Sequence, residues 1–275
     1  MKLKITRKTA LFFVGAMATC VSGAYIVQDH RDGYKNTPII PGQKWHVHDS
    51  DRPYPAEVVP GDKPGAPPSD AVVLFDGKDL SNFTQERDGK DVEPKWKVVD
   101  GTIEVVSGTG YLYTKEKFAD CQLHLEWQES PKITGRGQGR GNSGVFLQSL
   151  YEVQVLDSYR APTYADGQAG ALYGQWPPMV NPMTKPGTWQ TYDIMFEAPK
   201  FDNGKLVSPA YITVLFNGVL VHNHQKLNGP TAHQQVLDYT DAVTAGRLAF
   251  QDHGPAQPLR FRNIWLRKLK GYDQP

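Results

Sequence analysis

Short apolar runs separated by tight-turn dipeptides recur along most of this 275-residue chain. Two of the dipeptides, Asp100-Gly101 and Asn217-Gly218, are typical of two-residue β-hairpin turns, because their residues tolerate a positive φ. No segment carries a long apolar repeat of 3.6 residues, and nothing recurs at a fixed longer period. The pattern therefore predicts an all-β sandwich rather than a helical domain or a propeller.

The composition narrows the class of protein further. The chain has 39% hydrophobic and 21% charged residues, with 26 Gly and 21 Pro, which is typical of a globular, turn-rich protein. Its formal net charge of +1 argues against a nucleic-acid-binding surface, which must neutralise phosphates. Neither Cys20 nor Cys121 lies in a zinc-binding spacing, and Cys20 falls within an expected export signal. We therefore expect no internal disulfide in the mature chain.

The N-terminus carries the pattern of an export signal. A basic head that ends at Lys8 precedes an apolar run over residues 10–20, which is too short to span a bilayer comfortably. Small residues follow, so we expect a signal peptide over residues 1–24 with cleavage after Ala24. A retained anchor and a lipoprotein attached at Cys20 are the alternatives. The favoured interpretation is an exported protein, periplasmic or extracellular, with no membrane association beyond the signal.

A proline-rich arm is expected over residues 25–70, because each proline lacks an N–H and restrains the residue before it. It is either a mobile spacer or an extended segment that lies on the domain. Residues 37–52 are too apolar for a pure spacer, so we expect them to be at least partly docked. His46, His48 and Asp49 form either a weak metal or substrate cluster or an ordinary surface group.

The main domain is expected over residues 71–270, centred on two adjoining strands at residues 141–148 and 151–157. Residues two apart in a strand share a face, so Glu152 and Gln154 point away from the valines that alternate with them. Carboxylate and amide groups suit a hydroxyl-rich ligand, which makes this face the candidate site. An ordinary amphipathic hairpin would show the same alternation and is the alternative.

A long irregular segment, residues 159–186, follows this hairpin. Long irregular segments in compact domains are often binding loops. Its aromatic residues Tyr164, Tyr173 and Trp176 can stack on the C–H faces of sugar rings. We therefore expect Tyr173 and Trp176 to bind substrate.

Five motifs occur in a fixed order between residues 71 and 269. They are Leu74-Phe75-Asp76-Gly77-Lys78-Asp79-Leu80, Gly141-Asn142-Ser143-Gly144-Val145-Phe146, Tyr151-Glu152-Val153-Gln154-Val155-Leu156-Asp157, Asn217-Gly218, and Gln251-Asp252-His253-Gly254 followed by Phe261-Arg262-Asn263-Ile264. As an ordered set they closely resemble the 3-keto-disaccharide hydrolase domain family. The resemblance implies a concanavalin A/laminin G-like jelly-roll β-sandwich in secreted bacterial proteins of glycan breakdown. It also implies cleavage of an oligosaccharide or glycoside first oxidised to a ketone at C3.

Such a reaction needs a base for the C2 proton, a group that stabilises the enolate, and an acid for the leaving oxygen. The candidate catalytic residues are Glu152, His253 and Glu126, with Glu152 or His253 as the base. Arg262, Gln154 or a bound cation is expected to stabilise the enolate. The further candidate substrate-binding residues are polar groups of the same motifs, namely Asn142, Asp157 and Gln251.

Each candidate also has a structural interpretation. Glu126 can pair with Arg262 on a neighbouring strand, which is a frequent role of carboxylates in a sandwich. His253 can cap a turn, Asp157 can form one, and Asn142 can satisfy backbone groups. The alternation of the sequence does not separate these roles from catalytic ones.

The sequence identifies no cofactor. Oxygen and imidazole ligands for a divalent metal are present, but no spacing specifies one. Because the chain has no nucleotide-binding or redox-cofactor motif, we expect the ketone to be made by an upstream sugar oxidoreductase of the same pathway.

Other classes of function remain open at the level of sequence. A non-catalytic carbohydrate-binding module would use the same aromatic loop and polar face without turnover. A structural domain near the cell envelope would bind no sugar. A glycosidase with paired carboxylates is a further enzyme class, decided by the carboxylate separation. A Ser-His-Asp hydrolase is disfavoured, because no Gly-x-Ser-x-Gly elbow precedes a helix.

Overall fold

The computed structural model describes residues 32–240, 242–254 and 259–273. The expected signal peptide, residues 1–24, lies outside these ranges, as does the start of the expected proline-rich arm. No helix in the described part of the chain is long and apolar enough to cross a membrane. The described chain separates into one compact unit that ends at Tyr54 and another that begins at Pro55.

Hydrogen bonds between residues of the same unit stabilise the first unit. Tyr34 N donates to His48 O at 2.8 Å. The Asp49 carboxylate accepts from Lys35 Nζ at 2.6 Å and from His46 N at 3.0 Å. Asp49 therefore stabilises the fold of this unit, and docking of the unit on the domain stays an expectation.

The regular secondary structure of the second unit is almost entirely β-strand. Its described strands are β1 (Val72–Phe75), β2 (Phe83–Arg87), β3 (Lys90–Val92), β4 (Lys97–Val99), β5 (Thr102–Glu104), β6 (Leu112–Phe118), β7 (Cys121–Gln128), β8 (Asn142–Leu147), β9 (Tyr151–Leu156), β10 (Gln190–Glu197), β11 (Lys200–Asp202), β12 (Lys205–Ser208), β13 (Tyr211–Phe216), β14 (Val219–Lys226), β15 (Gly246–Phe250) and β16 (Arg260–Lys268). The described helical structure is limited to two single-turn 3₁₀ segments, Gly137–Gly139 and Ala165–Gly167.

The strands form two large antiparallel sheets. One has six strands in the order β3-β2-β6-β15-β8-β9, so β9 lies at its edge. The other has eight strands, in the order β14-β13-β10-β7-β16-β5-β4 with β1 also paired to β16. Strands β11 and β12 form a separate hairpin. The prediction of an all-β sandwich is confirmed.

The alternation of β7 shows why the sheets pack face to face. Its inward side chains are at most 1% exposed, namely Cys121, Leu123, Leu125 and Trp127. Between the sheets, the Phe250 ring of β15 lies 5.1 Å from the Phe261 ring of β16. The Tyr192 hydroxyl of β10 donates to Gln154 O of β9 at 2.6 Å. This bond crosses the core and satisfies a polar group of the strand that carries the candidate site.

The two predicted hairpin turns have the backbone that their residues favour. Asp100 and Gly101 have φ of 49° and 71°, and Asn217 and Gly218 have φ of 51° and 75°. Positive φ at both central residues is the type I′ geometry, which matches the twist of the flanking strands.

Residues 55–70 belong to the compact unit of the sandwich. Gly65 O accepts from Asn263 Nδ2 at 2.8 Å and from Trp265 Nε1 at 2.9 Å, which holds this segment on β16. Gly65 has φ of +80°, and a Cβ there would lie 3.2 Å from His124 Nε2. The positive φ therefore favours glycine, and the close approach to β7 leaves little room for a Cβ.

A buried carboxyl group, Glu129, follows β7 directly. It is 3% exposed, and neither of its carboxyl oxygens has a hydrogen-bond partner. Burial, with the nearby Asp157 carboxylate as a second cause, raises the pKa of Glu129 to about 8, although Arg140 acts in the opposite direction. The protein interior therefore holds Glu129 in its neutral form at neutral pH.

We predict that Glu129→Gln makes stability less dependent on pH. An unfolded Glu has a pKa of about 4.3. The raised pKa of the folded state makes a stabilising contribution that is fully present below a pH of about 4.3. This contribution is lost as the pH rises towards 8. Between pH 5 and pH 8 the free energy of unfolding of wild type should fall by about 3 kcal/mol more than that of Glu129→Gln. Urea titrations measure it.

The control is Glu93→Gln, which changes an exposed glutamate. Its stability curve should run parallel to that of wild type. A Glu129→Gln curve that also runs parallel over this pH range would contradict the assignment of a neutral Glu129.

Candidate active site

The register of β8 and β9 places four polar or small residues, together with one aromatic ring, on one face of the sheet edge. Gly144 lies opposite Gln154, and Phe146 lies opposite Glu152. Cross-strand partners share a face, as do residues two apart, so Asn142 joins this set. The face opens into a cavity of about 510 Å³, a size that suits a small ligand.

The lining of this cavity mixes amides, rings and one carboxyl group. It consists of Tyr111, Gln138, Asn142, Phe146, Glu152, Gln154, Tyr164, Tyr173, Thr231, Ala232, His233, Gln251 and His253. Polar groups that converge in a partly aromatic cavity are typical of a small-molecule binding site.

The irregular segment after β9 closes the free edge of that strand. Gln154 N donates to Ala171 O at 2.9 Å, and Gly170 N donates to Gln154 O at 2.9 Å. Tyr173 N donates to Glu152 O at 3.2 Å. These bonds pair residues 170–173 with β9 and bring the Tyr173 side chain to the cavity.

Gly144 makes room for the Glu152 carboxyl group. A Cβ at Gly144 would lie 2.2 Å from Glu152 Oε1, far inside contact distance. Only glycine fits at this point of β8 while Glu152 keeps its position.

Glu152 is buried without a cation. The residue is 6% exposed, and no Lys or Arg of the described chain forms an ion pair with it. Burial alone raises the pKa of Glu152 to about 8. Its carboxylate is therefore a stronger base than an exposed one, and a proton is readily held there near neutral pH.

The Gln154 amide lies beside the Glu152 carboxyl group, and its two orientations offer different hydrogen-bond partners. In one orientation its Nε2 donates to Gln138 Oε1 at 3.1 Å and to Asn142 Oδ1 at 3.2 Å. In the opposite orientation Nε2 donates to Glu152 Oε1 at 2.9 Å and to Ser143 O at 3.2 Å. A charged carboxylate favours the second orientation, and a protonated one can donate to the amide oxygen in the first.

His253 lies beside Asn142 in the lining of the cavity. Asn142 Nδ2 donates to Gln138 O at 2.9 Å and lies 3.4 Å from His253 Nε2. Burial lowers the pKa of His253 below its usual range, so the ring is neutral at neutral pH. Asp252 fixes this turn by accepting from Thr109 N at 2.8 Å.

Tyr173 is the centre of a short hydrogen-bonded chain. Its hydroxyl lies 2.9 Å from the Tyr164 hydroxyl and 3.0 Å from His233 Nδ1. Burial first, and the Tyr164 hydroxyl second, raise the pKa of Tyr173 above its usual range. The phenol therefore stays protonated at neutral pH and can donate a proton or a hydrogen bond.

The structure brings six of the sequence-predicted site residues together. The cavity is lined by Glu152, His253, Asn142, Gln154, Tyr173 and Gln251. Gln251 Nε2 donates to Tyr111 OH at 2.8 Å, while Gln251 Oε1 is buried without a partner. An unpaired buried oxygen is costly, and this one belongs to a residue that lines the cavity.

Two predicted residues, Glu126 and Arg262, lie on the face of the larger sheet that points away from the core. Arg262 Nε donates to Glu126 Oε2 at 2.7 Å, and Asn263 Nδ2 donates to Glu126 Oε1 at 2.9 Å. The Arg262 guanidinium also lies 4.0 Å from the Trp189 ring centre. Glu126 therefore has the structural ion pair considered above as its alternative role, and neither residue lines the cavity.

Asp157 and Trp176 also lie outside the cavity lining. Asp157 is buried and accepts from Arg140 Nε at 2.8 Å, in an ion pair that anchors the loop before β8. Trp176 Nε1 donates to Lys226 O at 2.9 Å, which fixes the indole against β14.

Several lining residues were not singled out by the sequence patterns. Gln138 belongs to a glycine-rich loop, Tyr111 precedes β6, and Thr231 and His233 lie in an irregular segment after β14. In an irregular segment, no periodic pattern indicates where a polar side chain points. Within the described residues, no group of three or more His, Cys, Asp or Glu side chains is placed to hold a metal ion.

Two solved structures of other proteins are similar to this chain. A structure described as a "putative glycosyl hydrolase" from Parabacteroides distasonis ATCC 8503 is 43% identical, covers 84% of this chain and 100% of its own, and superposes with a TM-score of 0.74. A second structure with the same description and organism is 21% identical, covers 72% of this chain and 99% of its own, and has a TM-score of 0.54. At that identity the second likeness shows the fold alone.

The chain also matches a family model over most of its length. No curated protein matches the chain significantly. Residues 70–267 match the family model described as the 3-keto-alpha-glucoside-1,2-lyase-like domain, which is well over half of the chain. The match and the first solved structure support a carbohydrate-active enzyme. The chain belongs to the 3-keto-alpha-glucoside-1,2-lyase-like domain family.

Proposed function

We propose that this protein cleaves 3-keto-glycosides by elimination across C1 and C2 followed by addition of water. The observation that carries the proposal is Glu152, a carboxyl group buried in a cavity without a cation and with its pKa raised to about 8. Family membership supports the substrate class. We also propose that the protein is exported and that a sugar oxidoreductase supplies its substrate, since the expected export signal and the lack of a redox motif both favour this.

Glu152 is the general base of the proposed reaction. A ketone at C3 acidifies the C2 proton, so a carboxylate can remove it if its own pKa is high enough. Burial provides that increase in pKa, and Gly144 leaves the space that the Glu152 carboxyl group occupies. The Gln154 amide can follow the change of charge by donating to Glu152 when it is ionised.

Neutral hydrogen-bond donors stabilise the enolate oxygen. Asn142 and His253 lie together in the lining of the cavity, 3.4 Å apart through Nδ2 and Nε2. Preorganised donors are most effective in a site from which water is excluded. These residues take the role expected of Arg262, Gln154 or a bound cation. Arg262 itself is paired with Glu126 outside the cavity lining.

Tyr173 is the proposed proton donor to the leaving oxygen. Its hydroxyl is protonated at neutral pH and belongs to a chain with Tyr164 and His233. That chain can share the negative charge that the phenol acquires when it gives up its proton.

The proposed steps balance in atoms and charge. Glu152 takes the proton from C2, the C1–O bond breaks, and the leaving oxygen takes the proton of Tyr173. The resulting C1–C2 double bond is conjugated with the ketone. Water then adds its oxygen to C1 and its proton to Tyr173, while Glu152 returns a proton to C2. The net reaction consumes one water and releases a 3-keto sugar and an alcohol.

The first test of this function compares a 3-keto-disaccharide with its unoxidised parent. We predict cleavage of the keto sugar alone, because only the ketone acidifies C2. Mass spectrometry of the products measures the cleavage. A parallel assay with a chelator decides whether a divalent metal takes part. Saturable binding of either sugar without cleavage would contradict the proposal and favour a carbohydrate-binding module.

We predict that Glu152→Gln lowers kcat by about 10³-fold, within the range usual for loss of general base catalysis. The amide keeps the shape of the side chain but cannot accept the C2 proton. Glu126→Gln is the control, and it should retain kcat because Glu126 is outside the cavity lining. Comparable losses in the two variants would contradict the assignment.

The pH profile of kcat/KM tests the same residue in a second way. The base must be ionised, so kcat/KM should rise with unit slope and level off above a pH of about 8. Glu129 has a similar raised pKa, which makes Glu129→Gln the matched control. That variant should keep the inflection. Loss of the inflection in Glu129→Gln would show that the profile reports Glu129.

We predict that Tyr173→Phe slows cleavage according to the leaving group. A sugar alkoxide needs a proton as it departs, so kcat for a 3-keto-disaccharide should fall by about 10²-fold. A 4-nitrophenyl 3-keto-glucoside, whose leaving group needs no proton, should be much less affected. Tyr164→Phe is the comparison variant. An equal loss on both substrates in Tyr173→Phe would contradict a proton-donating role.

A further inference from the structure

A second cavity adjoins the candidate active site. It measures about 290 Å³ and shares Tyr164, Tyr173 and His233 with the larger cavity as a common wall. Its other lining residues are Asp166, Gly174, Gln234, Gln235 and Val236. A volume near the lower limit of small-ligand sites suits a single ring.

The polar lining of the second cavity suits a hydroxylated ligand. The Asp166 carboxylate forms no ion pair with any described residue, and two glutamine amides lie on the opposite segment. Carboxylate and amide groups together accept from and donate to sugar hydroxyls. Val236 is 74% exposed, so its apolar surface is available to the C–H face of a ring.

The two segments that form this cavity are held in place by hydrogen bonds. Gly174 N donates to Asp166 O at 3.0 Å within the first segment. Gln175 Nε2 donates to Gly229 O at 2.9 Å, which joins the first segment to the second. Thr231 N donates to Leu150 O at 2.9 Å and so ties the second segment to the strand connection before β9. The second cavity is therefore part of the folded domain.

The positions of the reactive groups assign different roles to the two cavities. Glu152, His253 and the amides line the larger cavity, whereas the smaller one contains no buried titratable group beyond the shared wall. Tyr173 lies in that wall. In the proposed reaction its hydroxyl donates to the oxygen between the reacting sugar and the leaving group. The bond to be cleaved would then cross the wall.

We propose that the second cavity binds the leaving sugar, an unoxidised hexosyl unit, while the 3-keto ring occupies the larger cavity. This assignment rests on the proposed function. It makes the enzyme selective for disaccharides over glycosides with a small alcohol as leaving group, because only a sugar can contact Asp166 and Gln235.

The test compares a 3-keto-disaccharide with the methyl 3-keto-glycoside of the same reacting sugar. Asp166→Ala and Gln235→Ala should each lower the ratio of kcat/KM for the disaccharide to kcat/KM for the methyl glycoside by 10-fold or more. Asp202→Ala, a change in the exposed β11–β12 hairpin, is the control and should leave the ratio as in wild type. Circular dichroism and thermal melting verify folding of each variant.

The outcomes separate the two proposals. If wild type cleaves the methyl glycoside and neither variant changes the ratio, the leaving-sugar site is wrong and the proposed function stands. If wild type cleaves neither keto substrate, the proposed function is wrong, and the assignment of a leaving-sugar site falls with it. A lower ratio in both variants, with an unchanged ratio in Asp202→Ala, supports the second cavity as the leaving-sugar site.

Discussion

The pairing of β8 with β9 is the constraint on which the site depends. Because Gly144 lies beside Gln154 and Phe146 beside Glu152, a carboxyl group can be placed over a residue that has no side chain. A one-residue slip would turn Glu152 into the hydrophobic core and Val153 out of it. The bond from Tyr192 to Gln154 O holds β9 against the opposite sheet and opposes such a slip. The chemistry of Glu152 thus follows from backbone register.

Burial of β9 on both faces gives this register its chemical effect. An edge strand with one polar face would leave Glu152 in water, with an ordinary pKa. Instead, residues 170–173 pair with the free edge of β9. The segment anchored at Thr231 covers the face of β9 that carries Glu152. The result is desolvation of Glu152 without a compensating cation. The fold bears this cost at a point where a strong base is useful, as is common at functional sites.

The sequence allowed prediction of the sandwich, the type I′ turns and the polar face of β9, because alternation and turn preferences are local properties. It did not separate Glu126 from Glu152, since both lie on polar strand faces. Their difference arises from non-local pairing, which places Arg262 beside Glu126 and no cation beside Glu152. Tyr111 and His233 reach the cavity from distant, irregular or strand-flanking positions, where no periodic pattern indicates the direction of a side chain.

The central claim is that Glu152 removes the C2 proton, and the effect of a deuterium label at that position on the rate tests it most directly. A 3-keto-disaccharide carrying deuterium at C2 should be cleaved by wild type several-fold more slowly than the unlabelled sugar, because the C2–H bond must break whether or not Glu152 returns the same proton. Equal values of kcat/KM for the two sugars, measured in competition by mass spectrometry at early times, would contradict elimination. They would indicate direct displacement at C1 instead.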